Sequence, residues 1–255
     1  MNSTGLYPRV HVDTAKVTAV AQAGGVLLTE TIRAAGLDRG LSEALAGWRK
    51  PLAVHDPGKI LLDLAVSLAL GGDALSDVAV LRGEPGVYGP VASDPTVSRL
   101  IKVLAEDADK AIKAISVARQ QARATAWGVA GVHAPDHGAT AEEPLIIDLD
   151  ASLVTAHSEK QRAAPTFKRG FGFHPLLAFA DHGADGTGEA LEILLRPGNA
   201  GSNKASDHIA VTKAALAQLP DRNPRPGRRV LVRADGASCL VDGAPMLAQH
   251  HCACR

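Results

Sequence analysis

The run Leu145-Ile146-Ile147-Asp148-Leu149-Asp150-Ala151-Ser152 restricts the fold more than any other stretch of this chain. Its apolar residues need burial, and its length suits one strand. Residues two apart in a strand share a face, so Asp148 and Asp150 emerge side by side. No Lys or Arg within the run neutralises them. Two neighbouring carboxylates stay ionised together when a cation lies between them. The same pattern also suits a strand end where one aspartate caps a turn and the other faces water.

The chain ahead of this strand has a different period. Residues 9 to 20 are rich in Val and Thr and predict a strand or hairpin arm. Helical spacing then dominates. Leu27, Leu28, Ile32 and Leu37 begin one helix, and Leu41, Leu45 and Trp48 form a short face that Pro51 ends. Asp56-Pro57 predicts a capped helix start, with Ile60, Leu61, Leu64 and Leu68 on one side and a stop at Gly71-Gly72. A short helix over 73 to 81 and turn chemistry over 83 to 90 follow. From Ser93 the steps Val97, Leu100, Leu104, Ala108, Ala111, Ile115 and Ala118 predict one long helix. A short helix, a turn and a helix opening Asp94-Pro95-Thr96-Val97-Ser98-Arg99 fit a helix-turn-helix, with Arg99 and Lys102 as candidate DNA contacts. An ordinary helical bundle with a solvated charged face has the same pattern.

The character changes at a Gly/Ala-rich stretch over 128 to 143. The expected organisation is a mostly helical region over 1–130, a linker over 131–143, a strand-rich domain over 144–238 and a tail over 239–255. The strand-rich domain reads strand, strand, strand, helix, strand: after the acidic strand come His174 to Asp181, Ala190 to Leu195, a helix over 202 to 219, and Val230 to Asp235. If the last strand lies beside the first, Asp235 approaches Asp150, at the strand ends where ligands collect in such sheets. Carboxylates converging from separate strands suit Mg²⁺ or Mn²⁺ and metal-assisted phosphodiester chemistry. Loops around them are basic: His157 to Gly170 holds four basic residues against one acidic, and Arg222 to Arg233 holds five and none.

Overall composition excludes little. The 255 residues carry 27 basic and 27 acidic side chains, so any nucleic-acid contact must come from local patches. Aromatics are only 3%, which leaves Ala, Leu, Val and Ile to build the core. Ile60 to Leu70 is the longest apolar run; Asp63 interrupts it and it is too short to span a membrane. A soluble, cytoplasmic protein is expected. All three cysteines, Cys239, Cys252 and Cys254, fall in the tail, as expected of a segment of foreign composition. Four ligands crowded into His250-His251-Cys252-Ala253-Cys254 are poorly spaced for one tetrahedral zinc.

Several segments in order resemble bacterial insertion-sequence transposases, in the DDE group-1 branch of the insertion-sequence 1380 type. They are Asp148 to Lys160, Gly170 to Leu177, Gly186 to Ala190, Leu195 to Asn203 and Val232 to Asp235. The resemblance runs from about residue 5 to residue 238. It implies an α/β protein: an N-terminal helical region with a helix-turn-helix, then an incomplete ribonuclease-H-like domain. It implies two divalent cations, Mg²⁺ or Mn²⁺, held by an Asp, Asp, Glu triad. Motif by motif, the first aspartate falls at Asp150, with Asp148 the lesser choice, and the second at Asp235. The third acid has no counterpart, so a C-terminally truncated and catalytically inactive chain is expected. The implied partner is double-stranded DNA at terminal inverted repeats, with a homodimer in the intact relative and Lys168 and Arg169 on phosphates. A non-catalytic DNA-binding remnant is the main alternative. A phosphohydrolase using the Asp148-Leu149-Asp150 strand is a weaker one, since Ala151-Ser152-Leu153-Val154-Thr155 only loosely fits the loop it needs.

Overall fold

The computed structural model describes residues 5–10, 24–156, 159–183, 186, 188–201, 204–220 and 227–234, and the backbone of 252–254. The expected N-terminal strand over 9 to 20 lies largely outside the described residues. Two compact units, Met1–Ala126 and Trp127–Arg255, divide the chain.

The first unit is helical: α1 (Gly25–Ala34), α2 (Leu37–Ala44), α3 (Pro57–Ala69), α4 (Val78–Arg82), a single turn α5 (Pro85–Tyr88), α6 (Asp94–Glu106) and α7 (Ala108–Ala130), whose last turn belongs to the second unit. Local chemistry explains α3 from end to end. The Asp56 carboxylate accepts the Lys59 amide at 3.2 Å, and Pro57 occupies the first turn. At the other end Gly71 adopts φ +96°, and the amides of Gly72 and Gly71 bond back to the carbonyls of Ser67 and Leu68. Leu45, Ile60, Val97, Leu100, Leu104 and Ala111 are buried together, so the three-and-four spacing of α6 is its core face.

Sequence spacing and structure part company at Asp107. Instead of one long helix from Ser93, the chain leaves helical geometry there (φ −131°, ψ 48°) and α7 restarts at Ala108. Aspartate competes poorly for a helix interior and well for a position just ahead of a helix, where its neighbours' amides lack partners. The turn expected over 83 to 90 contains α5, opened by Pro85.

One polar cluster is sealed inside this unit. Lys59 Nζ lies 2.5 Å from Asp63 Oδ1 and 4.3 Å from the centroid of the Tyr7 ring, and all three side chains are buried. Burial pushes the Asp63 carboxyl up to about 6, against the pull of Lys59, and lowers Lys59.

The second unit contains β1 (Leu145–Ala151), β2 (Val154–Thr155), β3 (Ala164–Pro165), β4 (Phe171–Phe173), β5 (Leu176–Ala180), β6 (Glu189–Leu194), α8 (Ala205–Ala217), β7 (Val230–Ala234) and β8 (Cys252–Cys254). The main sheet runs β6-β5-β1-β7-β8. β1 is antiparallel to β5 and β5 to β6, whereas β7 returns parallel to β1 and β8 parallel to β7. Leu145, Ile147 and Leu149 join Ala178, Leu191, Val232 and the α8 residues Val211, Ala215 and Leu216 in one core. The alternate residues Ile146, Asp148, Leu177, Phe179, Leu231 and Arg233 are half-buried on the other face.

The stretch expected to be a basic loop is more ordered than its composition suggests. β4 pairs with both β2 and β3 in a small sheet, although His157 and Ser158 lie outside the described residues. Buried Arg196 ties this sheet down: its Nε donates to the His174 carbonyl at 2.9 Å and its Nη1 to the Gly201 carbonyl at 3.1 Å, 3.4 Å from Asp207. Gly198 fits because it has no side chain; a Cβ there would lie 2.3 Å from the Ala164 carbonyl oxygen. The segments Gly170 to Leu177 and Leu195 to Gly201 are thus joined by hydrogen bonds within one piece of scaffold.

Candidate functional site

The two aspartates of β1 stand in different surroundings. Asp148 is the register partner of Arg233 on β7. Arg233 Nε and Nη2 lie 2.6 Å from the two carboxylate oxygens, and Nη2 also lies 2.8 Å from Asp181. The bidentate fork is strong and directional, and the bond to Asp148 is the main reason that Arg233 holds its proton beyond the ordinary range. A shared cation and a strand-end cap were the two readings of this aspartate pair; the cation that Asp148 meets is the guanidinium of Arg233. Each of the two Asp148 oxygens thus accepts one N–H of that guanidinium.

Asp150 is exposed at the C-terminal end of β1. Its Oδ1 accepts the Ala151 amide at 2.8 Å and its Oδ2 lies 3.5 Å from Ser152 Oγ. No basic side chain among the described residues forms a salt bridge with it. Such an open, hard oxygen donor fits Mg²⁺ or Mn²⁺. Asp235 lies outside the described residues. The residue before it, Ala234, ends β7 and is the register partner of Leu149, the residue before Asp150. Among the described residues, no group of three or more His, Cys, Asp or Glu side chains is gathered to hold a metal.

The four basic candidates are all exposed. Arg99 lies on α6, where its Nη2 donates to Thr96 Oγ1 at 3.1 Å, and Lys102 follows on the same helix. Lys168 and Arg169 occupy the turn between β3 and β4, where the Thr166 amide bonds to the Gly170 carbonyl. Arg169 takes φ +62° there.

The family described as transposase DDE domain, group 1, matches residues 2–253. The chain belongs to that family. No curated protein and no solved structure matches it. The match continues past residue 238, where the recognisable motifs stop, and β8 falls at its edge. Membership of a transposase family makes DNA the partner and, in general, divalent metal the cofactor. No helix among the described residues is long and apolar enough to cross a membrane.

Sequence reasoning missed Asp181 and Arg233 as the companions of Asp148. The one available signal was a lone arginine in the apolar run Val230-Leu231-Val232-Arg233. An arginine amid buried alternation needs a carboxylate on an adjoining strand.

Proposed function

We propose that this transposase is that of an insertion sequence, with its helical region binding the terminal inverted repeats through a helix-turn-helix. Its strand-rich region supplies a ribonuclease-H-like centre for phosphodiester cleavage and strand transfer. One observation carries this reading: Leu149 and Ala234 are partners in a parallel pair, and the residues that follow them are Asp150 and Asp235. Adjacent parallel strands end on the same side of a sheet, and this register supports pairing Asp150 with the residue that follows Ala234 in the sequence.

Asp150 and Asp235 are the proposed ligands. A divalent cation held there would activate an attacking oxygen and stabilise the leaving one at a phosphodiester. Asp148 keeps a positioning role: with Arg233 and Asp181 it fastens β1, β5 and β7 just inside the strand ends. Lys168 and Arg169 are placed on the DNA backbone, and the homodimer belongs to the same proposal. Motif matching assigns no third acid within these 255 residues. The polypeptide alone is therefore proposed to bind ends and metal without cutting DNA.

Iron-directed backbone scission tests the metal site. With Fe²⁺, ascorbate and peroxide, cuts are expected near residues 150 and 235, and Asp150→Ala should abolish both. Cuts elsewhere, or cuts that survive that substitution, would overturn the assignment. A duplex of the inverted repeats that flank the gene should be retained in a gel with Mn²⁺ and stay intact. Its cleavage would refute the inactive reading, and failure to bind it would refute the transposase reading.

A further inference from the structure

A pocket of about 350 Å³ opens in the helical unit where the loop 49–55 meets the first half of α6. Small-molecule sites span roughly 300–1,000 Å³, so one nucleotide-sized group is within its capacity. Ile60 and Leu100, both buried, line it together with half-buried Trp48. Lys50 and Arg99 line it as exposed cations. No carboxylate among the described residues lines it. Arg49 also lines the pocket but is shared with Asp56, 3.5 Å away. The remaining titratable lining group, His55, is held below its ordinary value by burial and then by the charge of Lys59. Lys110 Nζ lies 5.3 Å from the Trp48 ring centroid but is shared with Asp107, 3.7 Å away.

Duplex DNA is a convex, stacked rod, and protruding cations alone meet its phosphates. A concave apolar pocket behind those cations has no use against a stacked duplex. An unstacked nucleotide offers both a flat apolar base and a phosphate, and so matches both parts. We propose that this pocket takes one unstacked nucleotide of a DNA strand. The base lies against Trp48, Ile60 and Leu100, with the phosphate on Lys50 and Arg99. The proposal rests on the transposase reading, which makes a DNA strand the partner.

Trp48 and Trp127 are the two tryptophans, so Trp127→Phe leaves Trp48 as the reporter. In the full chain, a twelve-nucleotide oligothymidylate should quench Trp48. A tetrahydrofuran oligomer of equal length and charge, which has no bases, should bind about fivefold or more weakly, given the usual strength of base–aromatic stacking. Lys50→Ala and Arg99→Ala, both at exposed positions, should each weaken the oligothymidylate. Equal affinity for the two oligomers, or unchanged Trp48 emission, would overturn the pocket. If the inverted-repeat duplex is still retained in that case, the transposase reading survives. If neither oligomer nor duplex binds, both fall.

Discussion

Arg233 grips Asp148 across the parallel β1–β7 pair, with its Nε and Nη2 each 2.6 Å from a carboxylate oxygen of its register partner. The same Nη2 lies 2.8 Å from Asp181, which follows β5, so one guanidinium links three strands. This contact separates two aspartates that look equivalent in the sequence.

Asp148→Asn and Asp150→Asn should therefore fail differently. Asp148→Asn weakens a partly exposed ion pair and should lower unfolding free energy by about 1 kcal/mol while leaving metal-directed scission in place. Asp150→Asn should barely alter stability and should remove the scission. Urea unfolding and the scission pattern, measured on the same two proteins, check both halves.

Lys59 and Asp63 form a buried pair, and removing one partner strands the other. Lys59→Met alone should cost about 3–5 kcal/mol, whereas Lys59→Met with Asp63→Leu should be close to neutral. Comparing the two proteins by thermal and urea unfolding decides this. Additive losses would mean that the pair contributes nothing as a pair.

The Asp63 carboxyl titrates at about 6 in the folded protein, against 3.8 ordinarily. The folded state then holds this proton more tightly than the unfolded state does. Its stabilising effect is fully present below about 3.8 and is lost as pH rises through about 6. Unfolding free energy measured from pH 4 to pH 6.5 should thus fall relative to the Lys59→Met, Asp63→Leu protein, which lacks the group. A flat difference between the two would count against a raised value.

Gly198 sits where the small sheet is tied to the Arg196 turn. Gly198→Ala places a Cβ 2.3 Å from a backbone oxygen that cannot swing away. A loss of about 1–3 kcal/mol is expected, the usual range for overpacking. Far-ultraviolet dichroism with urea unfolding measures it, and an unchanged midpoint would show that the turn has slack.

Leu52 is fully exposed and adopts φ +61° in a turn closed by the Ala53 amide on the Lys50 carbonyl. That position favours Gly or Asn, and a branched residue there costs about 1 kcal/mol. Leu52→Asn should raise the melting temperature without altering helix content. No gain would mean that the left-handed backbone at this position costs the leucine little.

Much of the architecture was legible from residue order because its causes are local. The caps of α3, the core face of α6 and the alternation of β1 each depend on neighbours within a few positions, and all stand where spacing puts them. The break at Asp107 and the pairing of β2, β3 and β4 were not, because composition alone reads as helix in the first case and as loop in the second.

The sequence by itself determined that two acidic side chains share one face of a half-buried strand, since alternation is a property of any extended chain. Only the tertiary structure decided which of them meets a cation of the protein's own. Arg233 is 85 residues from Asp148 and reaches it through the parallel register of β7. That register is set by burying Val230, Val232 and Ala234 in the same core as Leu145, Ile147 and Leu149, a long-range choice that no local pattern contains.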